Sequence, residues 1–207
     1  LTGYSNDPEK ANSTDLTSEK PFGNTDPNQW HQMGTGKKPR PDRRKTETYD
    51  FAVIGGGAAG MCAAIAAARN GSKVVLIQDR PVLGGNSSSE IRVHLNGVNH
   101  LRNGLPERET GIIEEILLHN RFNNPQDSYP VWDHILYDFI TKEENLDLKL
   151  NTTAIRAIMS DDGKIEAAFC WQLTTETEFT IEASIFKDCS GDGLLGATAG
   201  ALYRTGR

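Results

Sequence analysis

The chain has 207 residues, room for one sizeable domain and marginal for two. Its 22 Lys and Arg against 28 Asp and Glu leave a net charge of −6, which argues against a general affinity for nucleic acid or an anionic membrane. No apolar run approaches the roughly 18 residues of a transmembrane helix.

Residues 1–47 are rich in Asn, Asp, Ser, Thr, Pro and Gly and have almost no apolar periodicity. Such a stretch cannot bury enough surface to offset its ordering entropy, so a loop-like or disordered leader is expected. Lys37, Lys38, Arg40, Arg43, Arg44 and Lys45 form a basic cluster at its end, read as a solvated linker. From residue 48 to 207 the pattern is that of one domain. Tyr49–Ile54 is a short apolar strand that runs into Gly55-Gly56-Gly57, and Ala58–Arg69 is an Ala-rich helix stopped by Asn70-Gly71. Lys73–Gln78 is a second buried strand, completing a βαβ unit of roughly thirty residues with a right-handed crossover.

Two helices follow by apolar spacing, Glu109–Phe122 and Val131–Glu144, and then a strand over Leu146–Leu150. Alternating segments at Thr153–Ser160, Ile165–Thr174 and Glu178–Phe186 read as an antiparallel meander. The last signal is Phe186–Cys189, the turn Ser190-Gly191-Asp192-Gly193 and an Ala/Leu helix. The fold class is therefore α/β, with a central parallel sheet and a small antiparallel β-meander. Cys62, Cys170 and Cys189 lie far apart without CxxC spacing, which favours buried reduced thiols over a disulfide framework or a metal site.

Gly55-x-Gly57-x-x-Gly60 stands between a strand and a helix, the context that gives this motif its meaning. The first glycine permits the tight turn, the second lets a pyrophosphate approach the backbone, and the third lets helix and strand pack closely. Amides at the helix N-terminus then meet the phosphate oxygens. An acidic residue is expected about 20 residues on, at the end of the second strand, to hold the ribose hydroxyls. Gln78 occupies that place here, and Asp79 is one residue later.

The run YDFAVIGGGAAGMCAAIAAARNGSKVVLIQDR, with the following Gly84-Gly85-Asn86, resembles the FAD-dependent oxidoreductases of the two-dinucleotide-binding-domain flavoprotein superfamily. Within it, VLGGNSSSEIRVHLNG looks most like a bacterial family of FAD-dependent oxidoreductases, and FKDCSGDGLLGATAGALYRTGR resembles that family's second flavin motif. The resemblance implies a Rossmann-like FAD-binding domain over residues 48–207. It implies that Gly55, Gly56, Gly57, Ala58, Ala59 and Gly60 hold the FAD pyrophosphate, with Gln78, Asp79 and Arg80 beside the adenosine. Gly84 and Gly85 would pass close to the flavin side, followed by Asn86, Ser87 and Ser88. Thr153 and Ala154 match the strand that offers backbone groups to adenine. Ser190, Gly191 and Asp192 would form the second turn, with Asp192 toward the ribityl or pyrophosphate. Asp192 also suits the cap of the following helix.

A flavin carries the electron chemistry, so catalytic groups must come from the protein near it. The loop after Gly85 offers Glu90, Arg92, His94 and His100; in an alternating strand Glu90, Arg92 and His94 would share one face. His94 would act as base and Arg92 would hold a carboxylate. His119 and His134 fall on the predicted helices and read as surface or packing residues.

The expected activity is hydride transfer between a small organic substrate, a sugar-derived alcohol, and FAD. An NAD(P)-binding Rossmann dehydrogenase and a non-catalytic dinucleotide-binding module stand as alternatives. The superfamily continues beyond the segment matched here, so the expected partner is the C-terminal remainder of the same protein. Location is left open between cytoplasm and bacterial periplasm.

Overall fold

The structure is a computed structural model and describes residues 43–95 and 101–204. The elements are β1 (Arg44–Ile54), α1 (Ala58–Arg69), β2 (Val74–Ile77), the short strands β3 (Leu101–Arg102) and β4 (Leu105–Pro106), α2 (Gly111–Asn123) and α3 (Tyr129–Thr141). Then come β5 (Leu146–Lys149), β6 (Thr152–Met159), β7 (Ile165–Gln172), β8 (Thr177–Asp188) and the short α4 (Leu194–Thr198). The helices and strands expected from periodicity are present, with ends within three residues of expectation except the start of β1, as frayed termini allow.

Six strands form one sheet in the order β5-β2-β1-β8-β7-β6. β5, β2, β1 and β8 run parallel, and β7 and β6 continue the same sheet antiparallel. The chain travels outward from β1 through β2 to β5, then returns to lay β8 on the other side of β1. In an open α/β sheet such a reversal of strand order leaves a crevice at the strands' carboxyl ends. The meander is no separate sheet: β8 pairs with β7 along its first half and with β1 along nearly all its length.

Both faces are buried, which is why the central strands read as continuous apolar runs. Val53, Val74 and Leu76 face α1, α2 and α3 and pack on Met61, Ile65, Ile116 and Leu136. Ala52, Ile54, Val75 and Ile77 point to the opposite face, where Ala168, Cys170 and Ile181 of the meander and Leu195 of α4 meet them.

Two expectations are corrected. Strand β1 begins at Arg44, so the expected boundary at residue 47 falls inside it. These first residues alternate charged and polar side chains, with no local apolar signal. They are held by the ladder to β8, from Arg44 opposite Glu178 onward, and by the 2.8 Å ion pair between Arg44 and Glu178. Residues 1–42, with Lys37, Lys38 and Arg40 of the basic cluster, lie outside the described residues.

The alternating strand expected over Glu90–His94 does not form. Ile91 and Arg92 both donate their amides to the Ser88 carbonyl, at 3.3 and 2.8 Å, closing a turn. Arg92 takes φ +64°, a left-handed conformation that breaks any extended run. His100 lies outside the described residues.

Candidate functional site

The residues singled out from the glycine motifs converge at the carboxyl ends of β1, β2 and β8. The Gly55 amide donates to the Ile77 carbonyl at 2.8 Å, and the Cys189 amide to the Ile54 carbonyl at 2.7 Å. The loop is thus pinned between its two neighbours. Gly55 has φ +106°, and a β-carbon there would stand 2.4 Å from the Cys189 carbonyl oxygen. At Gly60 a β-carbon would stand 1.8 Å from the Gly55 carbonyl oxygen, so helix α1 can approach the loop only through glycine.

Gly57 differs in kind. Its φ of −73° is ordinary, and a β-carbon there would meet nothing within 4 Å. Two of the three glycines are demanded by the fold and the middle one is not, which matches a backbone kept bare for a ligand rather than for packing.

A second corner closes on this loop. The Gly84 amide donates to the Gly56 carbonyl at 2.8 Å, and Gly85 lies against the Gly57 Cα. Gly84, at φ +103°, is left-handed and crowded by Leu136. Ser87 is buried and donates its hydroxyl to the Gly84 carbonyl at 2.9 Å. The Ser89 amide is held by Asp133 of α3 at 3.0 Å.

Gln78 is buried at the end of β2, and its carboxamide is engaged inside the protein. Its Oε1 accepts from the Gly56 amide at 2.8 Å, while its Nε2 donates to the Val82 carbonyl at 3.0 Å. One amide thereby joins the two corners, a task that needs an acceptor and a donor on the same group. Asp79 is exposed beside it, and Arg80 pairs with Glu90 at 3.3 Å. The Thr152 amide donates to the Gln78 carbonyl at 2.9 Å and the Asn151 amide to the Arg80 carbonyl at 3.2 Å. These bonds bring the start of β6, with Thr153 and Ala154, to the end of β2.

The third turn follows β8 and is organised by Asp188, which the sequence reading did not single out. Asp188 accepts from the Ser190 hydroxyl at 2.6 Å, the Ser190 amide at 3.0 Å and the Gly196 amide at 3.0 Å. Burial raises its carboxyl, but these donors outweigh it and hold the group below the ordinary carboxylate range. The cap role expected of Asp192 falls to Ser190, whose hydroxyl accepts from the Leu194 amide at 3.1 Å. Asp192 and Gly191 stand exposed at the tip. The signal available for Asp188 was an acidic residue ending an apolar strand two positions before a Ser-Gly turn.

These features fit a dinucleotide. The Gly57 backbone is open, α1 starts at the carboxyl end of β1, and the Asp79 side chain is exposed just past the end of β2. A family model described as FAD dependent oxidoreductase matches residues 50–207. The chain belongs to that family.

The fumarate reductase (cytochrome) of Shewanella frigidimarina is 25% identical over 171 residues, covering 58% of this chain and 29% of that protein. The mitochondrial glycerol-3-phosphate dehydrogenase of Saccharomyces cerevisiae is 32% identical over 90 residues, covering 40% of this chain and 14% of that protein. The chain thus spans less than a third of each of these relatives. Among solved structures, the open conformation of a flavocytochrome c3 fumarate reductase aligns at TM-score 0.50 and 18% identity, over 69% of this chain and 33% of that one. Thermovibrio ammonificans THI4 aligns at TM-score 0.50 and 15% identity, over 73% and 61%. Both structures share the Rossmann-like fold. The cofactor of the family is FAD, which displaces the NAD(P) alternative.

The thiols are poorly suited to redox or covalent chemistry. Burial pushes Cys170 up to about 12, and burial likewise raises Cys62 and Cys189. Among the described residues no group of three or more His, Cys, Asp or Glu is arranged to hold a metal ion, and no helix is long and apolar enough to cross a membrane. His119 packs edge-on against Phe139, with ring centroids 5.2 Å apart.

Arg92 and His94 lie together on the segment after Ser88. The Arg92 Nε donates to the Ser89 carbonyl at 3.0 Å, and its guanidinium sits over the Tyr129 ring at 5.7 Å. Tyr129 donates its hydroxyl to the Arg92 carbonyl at 2.8 Å and lies 3.3 Å from His94 Nε2. Tyr129 and Asp133 are one helical turn apart on α3, so a single helix face steadies the whole segment.

Proposed function

We propose that this chain is the FAD-holding part of an oxidoreductase that transfers hydride between a small organic substrate, a sugar-derived alcohol, and flavin. The observation that carries this reading is the bare Gly57 backbone at the strand-order reversal, faced by the Gly84–Gly85 corner. The relatives named as fumarate reductase and glycerol-3-phosphate dehydrogenase support a redox role on a small organic molecule.

When bound, FAD supplies the two-electron acceptor. Gly55 to Gly60 would hold its pyrophosphate, and Asp79, the start of β6 and the Ser190–Asp192 turn would supply further contacts to the ribose, adenine and ribityl parts. Asn86, exposed after Gly85, would border its flavin side, whereas Ser88 is buried and its hydroxyl accepts from the Glu90 amide at 3.3 Å. Arg92 would bind an anionic substrate group and His94 would take the substrate's hydroxyl proton.

The test is a visible spectrum of the purified protein, with the released cofactor identified by mass after denaturation. Flavin bands that bleach on anaerobic addition of an alcohol substrate support the reading. A colourless protein that also refuses added FAD overturns it and leaves a non-catalytic module that kept the fold.

A further inference from the structure

Strand β6 is an outer edge of the sheet, so one side of its backbone meets no neighbouring strand. Its pairing with β7 slips between Ala154 and Arg156, where Ile155 is the extra residue of a β-bulge. The slip shows in burial as well: Thr152 and Ala154 are buried, and next Ala157 in place of Arg156. A bulge re-aims the residues beside it, and this one adjoins Thr153 and Ala154. Bonds to other elements hold β6 on either side of the bulge. The Thr152 amide donates to the Gln78 carbonyl at 2.9 Å, and the buried Ala157 amide donates to Thr198 Oγ1 at 3.0 Å. Between these anchors, the backbone of Thr153 to Arg156 makes no bond to a described residue outside the meander.

Thr198 belongs to α4, and its hydroxyl does two things. It donates back to the Leu194 carbonyl at 2.9 Å, with the Leu195 carbonyl at 3.1 Å as a second acceptor. Its oxygen is left to accept from the Ala157 amide, which has no strand to bond. The other end of α4 is fastened to the third turn. The Leu194 amide donates to Ser190 Oγ at 3.1 Å, and the Gly196 amide donates to Asp188 at 3.0 Å. Leu195 of α4 shares a buried cluster with Ala154 and Ala157. Helix α4 is therefore a strut between the Ser190–Asp192 turn and the bulge of β6.

We propose that Thr198 is a positioning residue for the adenosine end of the cofactor: by holding the Ala157 amide it fixes the bulge, and with it the backbone of Thr153 to Ile155. Adenine carries an amino donor beside a ring acceptor, which the donors and acceptors of a free strand edge complement. This deepens the proposed function and rests on its assignment of the start of β6 to the adenine part. Thr198 itself touches no part of the flavin half, so its loss is felt at one end of the cofactor only.

The experiment uses the full chain and compares Thr198→Val, which keeps the shape but loses the acceptor, with Thr198→Ser, which keeps the hydroxyl. FAD and adenosine diphosphate carry the adenosine end, and flavin mononucleotide lacks it. Each is titrated by calorimetry, and folding of each variant is checked by circular dichroism and melting temperature. Thr198→Val is expected to weaken FAD and adenosine diphosphate about tenfold, the worth of one good hydrogen bond, and to leave flavin mononucleotide unchanged. Thr198→Ser is expected to restore both. Thr198→Ala, which removes the hydroxyl without adding bulk, is read the same way if the valine variant does not hold the wild-type fold. Equal losses for all three ligands mark a residue that only supports the fold and overturn the proposal. Undiminished FAD binding in Thr198→Val overturns it too. A wild type that takes up none of the three overturns the cofactor reading together with this one, so the two failures are told apart.

Discussion

The Cα of Gly55 lies against the backbone carbonyl of Cys189, so that a β-carbon on residue 55 would stand 2.4 Å from that oxygen. This approach locks the end of β1 to the end of β8 and sets the mouth of the cofactor crevice. Gly55→Ala must distort one of two buried strand ends and also adopt φ +106°, a conformation that costs of order 1–3 kcal/mol for a side chain before any clash. Gly57→Ala meets neither problem. The expected outcome is a pair of opposites: Gly55→Ala lowers the melting temperature by several degrees, whereas Gly57→Ala melts like the wild type yet purifies without flavin. A Gly57→Ala protein with full FAD content would refute the role given to the open backbone.

Gln78 and Asp79 should separate in the same way. Gln78→Glu keeps the acceptor for the Gly56 amide but turns a second oxygen on the Val82 carbonyl, leaving a buried repulsive pair. A destabilisation of about 1–3 kcal/mol is expected, read by urea unfolding. Asp79→Asn should leave stability unchanged and weaken FAD about tenfold, through loss of a charge-assisted bond to the ribose, read by flavin fluorescence titration.

Acid should weaken the third turn. The Asp188 carboxyl is held below its ordinary value of 3.8 by donors that exist only in the folded chain. The stability it contributes is complete above that ordinary value and is lost as pH falls through the lower folded one. Asp188→Asn removes the charge, so its stability curve should be flatter than the wild type below about pH 4, where unperturbed carboxylates titrate. It should also be less stable at neutral pH, as seen by thermal unfolding across that range. Identical acid slopes would refute the assignment.

At the alkaline end Cys170 acts alongside Tyr49, whose phenol is likewise raised by burial and by its bonds to Asp147 and Glu47. Buried in the sheet core, the Cys170 thiol is pushed from 9.0 up to about 12, so the folded chain keeps a proton that the unfolded chain loses. Stability is expected to fall as pH rises from about 9 towards 12. Cys170→Ala should flatten that decline, at a cost of about 1 kcal/mol at neutral pH for the small cavity left behind.

The sequence by itself determined the βαβ unit, the strand–glycine–helix junction and the three strands of the meander, because each is a local pattern of side-chain period and turn chemistry. It also placed Gly55, Gly57, Gly84 and Ser190 at turns and Gly60 at the helix–strand contact, where backbone geometry leaves a mark in residue choice. What only the tertiary structure decided depends on partners far away along the chain. Arg44 to Thr48 carry no apolar period, yet they are strand because β8 offers them a ladder more than 130 residues later. Gln78 reads as a weak substitute for an acid until the Gly56 amide and the Val82 carbonyl appear on either side of its amide. Arg92 and His94 alternate as a strand would, but the Ser88 carbonyl captures two amides and Tyr129 captures the turn that results. Periodicity records which face of an element is buried; the pairing of single polar groups is set by which elements the fold brings within hydrogen-bond reach.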